Sequence, residues 1–585
     1  MNRLARFLLV GAVLALAALL AIPAVAQEEG AGGIIIEASF GGDPATLNPL
    51  LVSDVTSRDL AGFLYPGLLG VDPSEATIVQ RLEANPEFQG GYLVDSWEVN
   101  EDGTSITFTM RQDFTWSDGV PVTTADIAYA WEVISRSTEL GLDVPAVFIT
   151  EYIDSVEIVD DYTFVVNYKQ ANCQAIAYAA SLGSPLAPAH ALGPIESLND
   201  DPFNLAPTVF GGPFTFGELR SGEQTSLLAN TDYPDGDVLP TGYILRNVPD
   251  STVLVEQFLA GETSIIRDPA VSRRSDLRAY GDEGNATVYP YPGASWDYLA
   301  LNLADPNNPQ NALDENGNPI DQGHHPIFGD VLVRRAVSLA VDVDAIIEAA
   351  VFGEGDRMTS FIIPASWAYA DDLPPIPYDP AAAAALLDEA GWVDDDNDPS
   401  TPRVAQGAAF AEDGTPLSFT LFTNEGNSRR AAVATVIQDG LQQIGFQVNF
   451  QTIDFNVLLD VIDGQTFDAI ILGWRNGYPD DPDATQLFTT GSDIIGSGSN
   501  FTSFSNARFD ELNTLANTPS ETDGCSVEGR APYYREMQEI FQQELPYVPL
   551  YTIGGMYAAQ STVQGFNPYP SQLYWNINSW SISAP

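Results

Sequence analysis

The chain has 585 residues, 45% of them apolar, and sets 80 acidic residues against 23 basic ones for a formal net charge of −57. That balance excludes nucleic acid and an anionic membrane surface as partners, because both demand a basic footprint. The acids are dispersed along the chain, as on a solubilising surface, and not gathered into one cation-binding cluster.

From the N-terminus, MNRLARFLLVGAVLALAALLAIPAVAQ places two arginines before an apolar stretch that ends in Ala24-Val25-Ala26. This is the layout of a secretory signal peptide over residues 1–26, and it predicts a soluble exported protein starting near Gln27. An uncleaved anchor is the alternative, since such a stretch nearly spans a bilayer. No cysteine follows it, so an N-terminal thioether lipid anchor is not available. The remainder, about 559 residues, suits two to four domains at roughly 150 residues each.

In residues 93–134 Asp102-Gly103 is a hairpin turn signal, and Ile106, Phe108 and Met110 alternate with threonines as in a strand with one buried face. Thr123 or Thr124 then caps a helix whose Ile127, Trp131 and Ile134 share one face. Asp379-Pro380 and Gly391 bracket a second helix. Residues 417–472 read as strand, helix (Val433, Ile437, Leu441), strand, helix and strand, the last being the continuous apolar run FDAIILG. Ligands of open α/β sheets sit beyond the carboxyl ends of such strands. The next residues, GWRNGYPDDPDA (473–484), therefore face a crevice.

Several segments resemble the bacterial extracellular solute-binding proteins of family 5, which include the oligopeptide-, dipeptide- and nickel-binding components of ABC transporters. They are SWEVNEDGTSITFTMRQDFTWSDGVPVTTADIAYAWE, TLNP (46–49) with FLYPGLLGVDP, and residues 211–236, 331–355 and 378–392, followed by FDAIILGW and 545–568. All seven fall in the family's order. The resemblance implies an α/β, two-lobed periplasmic-binding-protein-like fold (type II, cluster C) with an additional inserted N-terminal domain. Mapped onto this chain, lobe I takes 34–60, 190–295 and 536–585, the inserted domain 61–189, and lobe II 296–535. It further implies a monomer that encloses a solute by hinge closure and delivers it to a membrane permease with its ATPase, from a periplasmic or other extracytoplasmic location.

Catalytic and metal readings are weak beside this. His324-His325 lacks a third ligand, and DENGNPID (314–321) and DDDND (394–398) lack the full calcium-loop pattern, so turn chemistry is expected and no metal or cofactor. An exported carbohydrate hydrolase using Asp480 and Asp483 is the reading from another class. As a binding site, the 473–484 stretch resembles W-x-x-D-Y-P-D-P-D of peptide binders, whose first aspartate pairs with the ligand's α-ammonium. Here Gly477 stands at that position, which points to a ligand without a free α-amine: a peptide-like compound, or an oligosaccharide or other non-peptide solute.

The expected ligand-binding residues are Trp474, Arg475, Tyr478, Asp480 and Asp481, with Ser53, Asp54, Val55, Trp296 and Tyr551 added by the resemblance. Arg475 offers a fork for a carboxylate or phosphate, against the alternative of an ion pair with a neighbouring aspartate. Trp474 offers a stacking face, against the alternative of core packing. Whether Cys173 and Cys525 pair is left open by the sequence.

Overall fold

The structure is a computed structural model, and it describes residues 32–39, 42–183, 185–248, 250–394, 396, 398, 401–476, 481–496 and 498–583. The signal segment, Gly477, Tyr478 and Asp480 lie outside these. None of the described helices is long and apolar enough to cross a membrane.

Among the described residues eleven strands form one mixed sheet. The order across it is Gln447–Ile453, Ser418–Asn424, Ala469–Arg475, Ala286–Leu301, Tyr547–Gln560, Ile265–Arg267, Ile34–Ser39, Gly242–Asn247, Gln224–Ala229 and Phe214–Arg220. Gly355–Arg357 pairs with Tyr547–Gln560 off this line. The two long central strands, of 16 and 14 residues, belong to both halves of the sheet. Residues 286–291 pair with 555–560 in one half, and 295–300 pair with 547–553 in the other, with a break in register between Tyr291 and Ser295.

Glycine is required at that break. A Cβ on Gly293 would sit 1.9 Å from the Ile553 carbonyl oxygen, and one on Gly555 would sit 1.8 Å from the Tyr291 ring. The backbones cross here at a distance no side chain permits.

Each half has its own core. In the first half, Ile35, Tyr243 and Leu245 pack with Phe108, Ile127 and Phe164 of a separate four-stranded sheet and its helix. That sheet runs Val94–Val99, Ser105–Met110, Thr163–Tyr168, Ile153–Asp160. In the second half, Ala469 and Ile471 enter one core while Ile470 and Leu472 enter another on the opposite face. A strand covered on both faces has no polar side, which is why FDAIILG is continuously apolar. Helix Val527–Glu544 packs Tyr534, Met537 and Phe541 into the second of these cores and so belongs with the second half.

Local signals act as their chemistry dictates. Thr123 caps helix Thr124–Leu140 through a capping box with Asp126, and Gly141 closes it at φ +65°. Asp379 accepts from the Ala382 N–H to start helix Pro380–Glu389, and Gly391 follows its end at φ +79°. His325 is buried as a turn organiser. Its Nδ1 accepts from the Ile327 and Phe328 N–H groups, both at 3.0 Å, and its Nε2 lies 3.1 Å from Asp468. Asp314 accepts from the Asn316 and Asn318 N–H groups at 2.8 Å, as expected of turn chemistry. Among the described residues no group of His, Cys, Asp and Glu has the makings of a metal site.

Besides the long strands, a disulfide and an ion pair among the described residues join the halves. Cys173 and Cys525 are disulfide-bonded across 352 residues of sequence. Beside the register break, Arg278 of helix Arg274–Asp282 donates to Glu354 at 2.6 Å, and Arg274 adds a longer contact of 3.7 Å. Arg278 holds the Glu354 carboxyl below its ordinary range. A carboxylate whose pKa is lowered by folding stabilises the fold above its unfolded pKa, and that contribution disappears as pH falls through the folded value. Glu354→Gln is therefore expected to lower the melting temperature at neutral pH and to converge with wild type as pH falls, which flattens the acid limb of the profile. An unchanged acid limb would show that this link does not contribute.

Candidate ligand-binding site

Strand Ser418–Asn424 is parallel to both Gln447–Ile453 and Ala469–Arg475, which flank it on opposite sides. The connecting helices cover opposite faces. Ser428–Gln443 buries Val433, Ile437 and Leu441 in one core, and Phe455–Asp463 buries Leu458 and Ile462 in the other. The chain thus leaves Ser418–Asn424 to one side and returns on the other. Carboxyl ends diverge at such a switch point and leave a crevice between them. Asn424, Ile453 and Arg475 end the three strands that frame it.

Beneath this rim lies a buried charge. Asp297 is 3% exposed and pairs in register with Gly473 on one side and Tyr551 on the other. Its carboxylate accepts from Arg429, from the Tyr551 hydroxyl at 2.9 Å and from Arg430 at 3.5 Å. Arg429 also donates to the Tyr551 oxygen at 2.9 Å, and Arg430 to Asn424 at 2.9 Å. A Cβ on Gly473 would lie 2.4 Å from Asp297 Oδ1, so glycine there makes room for the carboxylate.

The two arginines occupy the first turn of helix Ser428–Gln443, where the positive end of the helix dipole disfavours cations. Asp297 offsets that repulsion. Burial alone would lower the Arg429 pKa, but Asp297 and Tyr551 outweigh it and keep the guanidinium charged. Burial also pushes the Tyr551 hydroxyl well up, so it stays a neutral donor.

Arg475 differs from its neighbours. It is exposed, pairs in register with Ser295, and makes no ion pair among the described residues. Strand alternation puts it on the same face as Gly473 and Ile471, the face that also carries Asp297 and Arg430. Asp480, a neighbouring aspartate in sequence, lies outside the described residues.

Trp474 turns to the opposite face and packs beside Tyr298 and Phe501, with ring centroids at 6.1 and 6.2 Å. Trp296, 2% exposed, is a core residue of the second half with its ring tilted against Tyr298 and Tyr547. Tyr551 is fully buried beneath the crevice. Ser53, Asp54 and Val55 lie in the first half. Asp54 caps helix Val55–Leu64 by accepting from the Ser57 N–H at 2.8 Å, while Ser53 and Val55 are exposed. The sheet thus sets Trp296, Trp474, Arg475 and Tyr551 on three adjacent strands, with the two tryptophans on the face opposite Arg475 and Tyr551, and the Ser53–Val55 trio stands on the other half.

The described aspartates of the 473–484 stretch have partners. Asp481 takes a bidentate pair from Arg530 at 2.9 and 3.0 Å. Arg530 also donates to Ala516 O, Asn517 and Tyr534, each at 2.9 Å, and lies 5.1 Å from the Trp367 ring centroid. Asp483 Oδ1 accepts from the Thr485 N–H and hydroxyl and from the amides of Asn513 and Asn517 at 2.7–3.1 Å. Asp483 is a loop anchor in this geometry, and Asp480, its partner in the hydrolase reading, lies outside the described residues.

Sequence reading missed Asp297, Arg429, Arg430 and Arg530. Two signals for the first three were visible: a charge inside the apolar run SWDYLAL, and an arginine pair at a helix start.

Known proteins agree with this architecture. Over 565 residues the chain is 27% identical to the oligopeptide-binding protein AppA of Bacillus subtilis (strain 168), covering 94% of this chain and 92% of that one. The solved structure of that protein with a nonapeptide aligns at a TM-score of 0.68 and 24% identity, over 94% of this chain and 99% of its own. The structure of NikA from Brucella suis with Fe(III)-EDTA aligns at a TM-score of 0.74 and 19% identity, over 94% of this chain and all of its own. Residues 90–495 match the family described as "Bacterial extracellular solute-binding proteins, family 5 Middle". That match spans more than half of the sequence, so the chain belongs to family 5 of the bacterial extracellular solute-binding proteins, the two-lobed solute-capturing components of ABC importers.

Proposed function

We propose that this protein captures a peptide-like solute bearing an anionic group, and that Arg475 receives that group at the crevice of the second lobe. The observation behind the reading is an exposed guanidinium at the carboxyl end of a switch-point strand, without an ion pair among the described residues of a chain rich in acids. A guanidinium fork matches a carboxylate or phosphate bidentately. Phe455 is 47% exposed at the start of the helix that follows strand Gln447–Ile453 and offers an apolar surface at the same end of the sheet. The peptide-like class is supported by the oligopeptide-binding relative, and Gly477 favours members of that class whose α-amine is absent or blocked.

The remaining parts of the reading follow the family. Lobe I comprises 34–60, 190–295 and the C-terminal segment, with the inserted domain at 61–189. Lobe II starts at 296 and extends to the end of helix Val527–Glu544, because that helix packs into its core. In this reading the protein is exported, acts as a monomer, performs no catalysis, and passes its ligand to a permease and ATPase.

Native mass spectrometry of the purified protein, followed by thermal-shift screening of N-acetylated and unblocked peptides and of neutral oligosaccharides, tests this. Stabilisation by an anionic, N-blocked compound is expected. A hydrogen bond to a charged partner contributes about 1.5–3 kcal/mol, so Arg475→Ala should weaken that ligand by roughly 10- to 150-fold. Equal affinity in wild type and Arg475→Ala, or preference for unblocked peptides or neutral sugars, would refute the reading.

A further inference from the structure

The Cys173–Cys525 bond ties together the two bodies that must separate for a ligand to enter. Cys173 lies between strand Thr163–Tyr168 and helix Ala175–Ala180, both of which pack in the core shared by the inserted domain and the first lobe. Cys525 lies between helices Ala507–Ala516 and Val527–Glu544, both of which pack in the second lobe. The contact around the bond is local and two-sided. The Cys173 N–H donates to Asn517 O at 3.0 Å, and Cys173 Sγ lies 3.5 Å from the Thr522 hydroxyl. A Cβ on Gly103, in the hairpin of the inserted domain, would lie 3.9 Å from Pro519.

The tether also adjoins the candidate site. Asn517, whose carbonyl accepts from Cys173, holds Asp483 through its amide and Arg530 through its Oδ1, so the bonded loop and the 481–484 lip share a partner. On the inserted-domain side, Tyr152 and Tyr178 stack at 4.1 Å, and the Tyr178 hydroxyl, raised chiefly by burial, also feels Tyr152, Asp483 and Asp481.

We infer that the Cys173–Cys525 bond acts as a second attachment point, which converts opening of this protein from a clamshell motion into a restricted swivel and so limits the size of solute that enters. Two bodies joined only at the crossing strands rotate apart about any axis through that hinge. With their Cα atoms held 5.3 Å apart at Cys173 and Cys525 as well, rotation is left chiefly about the line from the hinge to the bond. The alternative, that the inserted domain travels with the second lobe, requires it to leave a core in which Phe108, Ile127 and Phe164 pack with Ile35 and Tyr243. Loss of that much buried apolar surface is far more costly than a hinge rotation. The inference rests on the reading that solute enters between the lobes, but not on the identity of the solute.

Small-angle X-ray scattering of the ligand-free protein tests it. Oxidised wild type is compared with the double variant Cys173→Ser/Cys525→Ser and with folded wild type reduced by dithiothreitol below its melting temperature. Circular dichroism verifies that each sample remains folded. Removal of the bond is expected to increase the radius of gyration and broaden the distance distribution, and to raise the association rate of whichever ligand the screen identifies. Superimposable scattering from folded samples with and without the bond would overturn the tether, even if the melting temperature falls, because a purely stabilising cross-link lowers the melting temperature without changing the shape. Failure of Arg475→Ala to alter affinity would leave the scattering result intact, so the two readings fail separately.

Discussion

Replacing Asp297 with alanine is expected to cost about 3–5 kcal/mol, the penalty for removing one partner from a buried ion pair. The carboxylate is 3% exposed, and it neutralises two arginines placed against a helix dipole. Its loss leaves Arg430, with a side chain 13% exposed, facing another guanidinium with no acid between them. Asp297→Asn keeps an acceptor for the Tyr551 hydroxyl but not the charge, so it should fall between wild type and alanine. Urea unfolding followed by tryptophan fluorescence measures both variants. A loss for alanine of less than about 1 kcal/mol, the scale of an exposed pair, would show that the arginines find water or another acid.

The second large effect concerns Arg530. Arg530→Met removes the bidentate partner of Asp481 together with donors to Ala516 O, Asn517 and Tyr534. Asp481 keeps some solvent contact, with its side chain 29% exposed, so a cost of about 3 kcal/mol is expected, at the low end for a broken buried pair. Arg530→Lys should recover little, because an ammonium cannot reproduce the forked geometry or the stack on Trp367. Hydrogen exchange should rise first in the 481–484 lip and around Asn517. Ligand affinity should fall as the lip loosens, without Arg530 touching the ligand. Unchanged protection in that lip would show that the loop is held by other contacts.

These expectations mark where sequence legibility stops. Elements whose chemistry is local could be read directly: the Thr123 cap, the Asp379 cap with Gly391, the 102–103 hairpin, and the apolar strand that leads to Trp474. Each depends on neighbours a few residues away, and spacing reports them. The site was legible in position but not in wiring. Strand ends at a switch point locate a crevice, yet Asp297 meets Arg429 across 132 residues and Asp481 meets Arg530 across 49. The same distance in sequence hid the pairing of the two cysteines. Nothing in a local pattern says which of many acids a given arginine will choose. Among the residues that were expected to line the site, Tyr551 and Trp296 lie on the two long central strands, and both are turned into buried surroundings.

The break in register between Tyr291 and Ser295 has a mechanical consequence. Along that short interval the two long strands lose their ladder pairing, so the sheet has a crease where it resists bending least, and stiff plates on either side. A crease of this kind is also brittle to sequence change. Gly293 sits where the strands cross, and a single added methyl group there would press on the Ile553 carbonyl and force the plates apart at their fold line, whereas one at Gly555 would displace the Tyr291 ring.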